Sequence, residues 1–114
     1  EQALCLETPE GLAIITGCSH PGIVWILQRA KAISNQKLHL VFGGFHLKDH
    51  TPEQIDAILK EMKKMGIKKI GPTHCTGAAA ITAFRSAWGS DCLSLGVGKQ
   101  IRVRTKSQLC TEGV

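Results

Sequence analysis

Three observations predict an α/β fold in this chain. Strand-like apolar runs alternate with segments of helical periodicity, each run breaks at glycine, and three of the loops that follow carry a histidine. Residues 14–18 run into His20, residues 38–42 into His46, and residues 69–71 into His74. Loops that leave successive parallel strands of an open α/β sheet bring their side chains to one rim, where ligands bind. Three imidazoles on such a rim imply a metal or a proton-transfer centre.

The elements follow in order. Ala3–Thr8 and residues 12–16 are β-rich runs around Pro9-Glu10-Gly11, which predicts a hairpin because Pro presets φ and Gly supplies a positive φ. A first helix is expected over residues 21–34, with Pro21 near its start and Ile23, Leu27 and Ala30 on one face. Residues 38–42 form a nearly continuous apolar run, as in a strand covered on both faces, and end at Gly43-Gly44. Thr51-Pro52-Glu53-Gln54 combines an N-cap, Pro at the first helical position and a Gln three residues after the cap. Ile55, Ile58, Leu59, Met62 and Met65 then recur at helical spacing up to Gly66. Residues 67–70 read as a short strand, and Ala78–Trp88 as a helix capped by Thr76 with Ile81, Phe84 and Trp88 facing inward. Residues 92–95 and 100–104 are expected as closing strands, and the last residues as frayed.

The 114 residues suit one modest core, so residues 1–114 are read as a single domain. No run approaches the roughly 20 apolar residues of a membrane span, and no secretory signal pattern opens the chain. Five cysteines, an odd number without a CxxC pair, point to reduced thiols and a cytoplasmic location. Glu1 stands where an initiator Met is expected and a strand begins at once, so the chain reads as cut from something longer. The net charge is +5, with basic residues around 60–69 and 102–106. Binding to nucleic acid ranks last, because there is no Tyr, few other aromatics are available to stack on bases, and Glu53, Asp56 and Glu61 share the helix of Lys60–Lys64. A solvated face is the reading of that cluster, with steering of a small anionic substrate as the other.

His20 and His74 occupy equivalent loops between a strand end and a helix start, so either ligation or helix capping accounts for each one alone. Their repetition favours a shared function. His46 either joins them or sits with His50 in a solvent-exposed turn, while His39 reads as a structural residue within a strand. Cys18 and Cys75 are the thiols nearest this rim; packing is the preferred reading, and ligation or nucleophilic chemistry the other. Ser19 and Thr76 lie at helix starts suited to phosphate or carboxylate, although capping explains them equally well. Neither GxxxxGK[ST] nor GxGxxG occurs.

At Thr16-Gly17-Cys18-Ser19-His20-Pro21-Gly22-Ile23, Phe42-Gly43-Gly44-Phe45-His46-Leu47 and Pro72-Thr73-His74-Cys75-Thr76-Gly77 the chain resembles the metallo-β-lactamase-fold hydrolases. It is most similar to the branch of dihydropterin ribofuranosylaminobenzene-phosphate synthase-like proteins. The resemblance implies that His20 and His74 are metal ligands, for Zn, Fe or Mn. His46 lies where many relatives carry a metal-bridging Asp, which implies a substrate or acid-base role for it here. The family's HxHxDH motif is absent, so the resemblance implies the C-terminal half of an αββα sandwich whose N-terminal half is missing.

Two function classes follow. The first is the C-terminal portion of a metal-dependent hydrolase-like enzyme, with weak or no metal on this chain alone because two histidines fall short of the three protein ligands usual for catalytic zinc. The second is a non-catalytic module that binds an anionic ligand or a protein partner. Half a sandwich also leaves a sheet face and an edge open, which the missing N-terminal half or a homodimer would cover, with the hairpin and Trp25 as expected contact regions. Neither class involves a membrane.

Overall fold

The computed structural model of the chain describes residues 1–104. Two runs around the Pro9-Glu10 turn pair first: β1 (Ala3–Thr8) and β2 (Gly11–Thr16) are antiparallel, in register from Ala3 opposite Thr16 to Thr8 opposite Gly11. Pro9 and Glu10 form the turn, and the Glu10 N–H donates to Thr8 Oγ1 over 3.2 Å. The chain continues through α1 (Ile23–Ser34), β3 (Leu38–Gly44), α2 (Pro52–Lys64), β4 (Lys69–Thr73) and α3 (Ala78–Trp88). Strand order is β1-β2-β3-β4, with β3 parallel to both β2 and β4. The carboxyl ends of β2, β3 and β4 therefore lie side by side.

The core lies between the sheet and the helices. Leu12, Ile14, Val41 and Ile70 from the strands meet Leu27 of α1, Met62 of α2 and Phe84 of α3. Phe84 packs edge-on to Phe45 and tilted against Trp88, with ring centroids 5.4 and 5.6 Å apart. The buried indole N–H of Trp88 donates to the Ile67 carbonyl over 3.0 Å, and Lys63 Nζ sits 4.2 Å above the same ring. Thr51 and Gln54 form the reciprocal capping box expected of them, with bonds of 3.2 and 2.9 Å. On the outer face of α2, Lys60 pairs with Asp56 and Lys64 with Glu61, as on a solvated surface.

Several sequence expectations need correction. The first helix begins at Ile23, because His20 and Pro21 form a turn closed by the Gly22 N–H on the Ser19 carbonyl, and Gly22 takes a φ of 108° as the N-cap. The fourth strand lies later than expected, since Ile67 is buried ahead of it and lends its carbonyl to Trp88. Thr76 does not cap α3; Gly77 does, at φ 86°, while the Thr76 hydroxyl turns inward. Ile81 is half-buried, and Ala80 takes the inward position beside Phe84 and Trp88. Neither closing strand forms: pairing stops at one bridge, Ile70 to Cys92, with the Leu93 N–H on the Ile70 carbonyl. Beyond it the chain crosses the second face of the sheet, where Leu95 lies over Gly71 so closely that a Cβ there would be 2.6 Å from its side chain. Residues 105–114, including the expected frayed end and Cys110, lie outside the described residues.

Core and cap differ in weight. Replacing Phe84 by Ala removes a wholly buried ring and is expected to cost about 3–5 kcal/mol. Thr51→Ala removes one exposed cap and is expected to cost about 1 kcal/mol. Urea unfolding of both variants checks the ranking, and equal losses would contradict this description of the core.

Candidate functional site

Gly44 ends β3 and provides the floor of the rim. The Thr16 and Ser19 hydroxyls both donate to its carbonyl, over 3.1 and 2.6 Å, and its N–H donates to the Gly17 carbonyl over 2.8 Å. On the other side, the Phe45 N–H donates to Thr76 Oγ1 over 3.0 Å and the Leu47 N–H to the Cys75 carbonyl over 3.2 Å. Thr76 in turn donates to the Thr73 carbonyl over 2.7 Å. Thr8, Thr16, Ser19 and Thr76 are the buried polar side chains among the described residues, and three of the four thus tie these loops together. Ser19 and Thr76, expected to meet an anionic substrate, have their hydroxyls engaged inside the protein.

Ser19, Asn35, His46 and His74 are the non-glycine residues at positive φ among those described. Asn35 is the C-cap of α1, an ordinary place for it. The other three stand on the rim at φ 62°, 53° and 52°. Such strain persists where surrounding bonds over-determine it, and it gathers at functional sites.

The predicted histidines fall into two neighbourhoods. In the first, the His20 and His46 rings meet at 69° with centroids 4.7 Å apart. Glu1 grips this side twice: Oε1 lies 2.9 Å from His20 Nδ1, and Oε2 accepts the Ser19 N–H over 3.0 Å. A carboxylate at Nδ1 favours a proton on that ring nitrogen and orients the ring. His46 Nδ1 is buried without a hydrogen-bond partner. These rings, together with Ser19, Trp25, Phe45 and His50, line a groove of about 420 Å³. The N-terminus of α1 opens into the same groove at Gly22 and Ile23.

In the second neighbourhood, His74 Nδ1 lies 3.9 Å from Cys18 Sγ, and Cys75 Sγ donates to the Cys18 carbonyl over 3.4 Å. The ligand atoms of Cys18, His74 and Cys75 all lie within 4.8 Å of one another. Contact with the Cys75 thiol, ahead of burial, pushes the Cys18 thiol up from its ordinary range. Sequence reasoning placed both thiols near the rim and could not converge them, because 57 positions of chain separate them without a CxxC spacing. It also gave no sign of Glu1 as the partner of His20. His39 is half-buried within β3, and His50 is exposed at the mouth of the groove.

No family model matches the chain. A 7,8-dihydropterin-6-methyl-4-(β-D-ribofuranosyl)-aminobenzene-5′-phosphate synthase of Methanocaldococcus jannaschii is 43% identical over 103 residues, 90% of this chain and 35% of that protein. An uncharacterized protein of the same organism is 39% identical over 69 residues, 60% of this chain and 26% of its own length. The crystal structure of Tm1679, a metal-dependent hydrolase of the β-lactamase superfamily, superposes with a TM-score of 0.85 at 36% identity over 90% of this chain. This chain is a segment of the metallo-β-lactamase fold. It spans about a third or less of the curated relatives and 40% of the solved chain. The metallo-β-lactamase-fold resemblance drawn from the three histidine loops therefore holds in three dimensions. No helix among the described residues is long and apolar enough to cross a membrane.

Hydrogen bonds from His20, first, and from the Ser19 N–H hold the Glu1 carboxyl below its ordinary range. A lowered native pKa means that the unfolded chain binds the proton more readily. The stabilisation is complete above the ordinary glutamate value of about 4.3 and fades as pH falls through the native value. Thermal midpoints of the wild type and Glu1→Gln are expected to differ at pH 5 and converge toward pH 2–3. A gap unchanged down to pH 2 would refute the clamp.

Proposed function

We propose that this chain is the C-terminal portion of a metal-dependent, hydrolase-like enzyme of the metallo-β-lactamase fold, and that it supplies His20 and His74 as metal ligands and His46 as an acid-base group. The observation that carries the reading is the convergence of the three histidine loops at the ends of β2, β3 and β4, with His46 Nδ1 buried and unpartnered. Such an orphan costs about 1–3 kcal/mol in a closed structure, which a ligand or substrate would relieve. The exposed rings of His20 and His74 fit a metal of borderline softness such as zinc. Bound there, that metal would lower the pKa of a water toward about 7 and polarise the scissile group.

The remaining work falls to this chain's own atoms. Glu1 fixes the tautomer and tilt of His20, and Ser19 fixes the loop that carries it. His46, edge-on to His20 and lining the groove, takes or returns a proton. The positive end of α1 opens into the groove, which favours an anionic substrate. The phosphate in the name of the M. jannaschii synthase is of that class. That relative is called a synthase and the solved neighbour a metal-dependent hydrolase. The rest of the metal shell comes from an N-terminal half, with a cytoplasmic location and a small anionic substrate as further parts of the reading.

The test joins this chain to the complementary N-terminal segment of the M. jannaschii relative and measures bound metal and phosphoester turnover. His20→Ala and His74→Ala are each expected to remove metal and to lower activity by more than the roughly 10- to 100-fold that loss of a ligand's own hydrogen-bond partner costs. His46→Gln is expected to keep the metal and lower kcat by about 100-fold or more. Unchanged activity in His20→Ala and His74→Ala would leave the segment as a binding module for an anionic ligand.

A further inference from the structure

Four cysteines are described, and two of them meet. Cys5 is exposed on β1 and Cys92 is half-buried beyond α3, whereas Cys18 and Cys75 face each other at the rim. They approach across the end of β3 because Gly44 has no side chain: a Cβ there would lie 2.8 Å from Cys75 Sγ, 2.7 Å from the Gly17 carbonyl and 3.3 Å from Cys18 Cα. His74, held at a φ of 52°, turns its Nδ1 toward Cys18 Sγ. Packing two small apolar residues requires neither the strained histidine nor the cleared strand end.

We propose that Cys18, His74 and Cys75 form a site for a thiophilic divalent ion of the zinc type, with one coordination position open. It rests on the preceding reading only in taking His74 as a metal ligand, and it concerns this chain by itself, where the two thiols take the place that His20 and the added segment have in the joined protein. Tetrahedral zinc with Zn–S near 2.3 Å and Zn–N near 2.0–2.1 Å has ligand–ligand edges of roughly 3.6–3.8 Å. The 3.9 Å from Cys18 Sγ to His74 Nδ1 is already close to such an edge, and the full triplet lies within 4.8 Å. Two sulfurs and an imidazole, with no carboxylate in the group, select zinc, cobalt or cadmium over magnesium, calcium or manganese. Three protein ligands with a fourth position free is the pattern of a reactive zinc site rather than a closed structural one. This ligand set lies wholly within one chain, so the 114-residue protein binds the ion unaided, contrary to the weak or absent binding that two histidines alone imply.

The experiment titrates the reduced 114-residue chain with Co²⁺, then displaces it with Zn²⁺. The expected result is one equivalent of cobalt with an intense near-ultraviolet thiolate-to-cobalt charge-transfer band. That band is lost in Cys18→Ser and Cys75→Ser, and kept in Cys5→Ser and Cys92→Ser. Zinc affinity is expected to fall at least tenfold in each of the first two variants, whose folding is checked by circular dichroism. As a measure that needs no variant, bound zinc is expected to shield Cys18 and Cys75, and not Cys5, from iodoacetamide. Cobalt bound without the thiolate band and lost in His20→Ala would overturn this site and leave the histidine reading of the proposed function standing. A chain that takes up no cobalt, or a band unaffected by both Cys18→Ser and Cys75→Ser, would overturn it outright.

Discussion

Two glycines at the end of β3 set the geometry on which the rest of the rim depends. Gly43 adopts a φ of 134° with its missing Cβ aimed at Thr16, and Gly44 lies where any side chain would strike Gly17, Cys18 and Cys75. Because the central of three parallel strands ends without side chains, the loops from its neighbours close over it and reach one another. The carbonyl and N–H of Gly44 then serve as fixed points for Thr16, Ser19 and Gly17. A bulkier residue would separate β2's loop from β4's loop, and with them every pair of functional side chains that the sheet brings together.

The closure yields two chemically distinct neighbourhoods on one edge. On the α1 side, Glu1, His20 and His46 offer oxygen and nitrogen atoms beside a groove into which a helix N-terminus opens. On the α3 side, Cys18 and Cys75 add sulfur to His74. The first neighbourhood therefore presents imidazole and carboxylate groups, and the second two thiols beside an imidazole. The threonine and serine hydroxyls between them contribute stiffness, each satisfied by backbone from a neighbouring loop.

Much of this architecture could be read from local sequence because local rules govern it. The Thr51 to Gln54 capping box, the Pro9-Glu10 turn and the helix over Ala78–Trp88 depend on residues within a few positions of one another. Thr76 misled for the opposite reason: a threonine before a helix is normally a cap, yet here a buried N–H from Phe45, 31 positions away, takes its hydroxyl. The closing strands failed because their apolar residues serve the second sheet face, with Leu95 over Gly71, rather than a ladder. The position of His20, His46 and His74 on one rim followed from their repeated loops. Their partners Glu1 and the cysteine pair did not, since only strand order decides that β2 and β4 flank the same glycine.

The three left-handed residues at the rim also carry a consequence for how this fold can change. Glycine would accept the backbone of Ser19, His46 or His74 more comfortably than the residues that stand there. The most relaxed version of this rim is therefore one stripped of its imidazoles and its hydroxyl. Stability and chemistry pull in opposite directions at three neighbouring positions, so selection for robustness alone would erode the site.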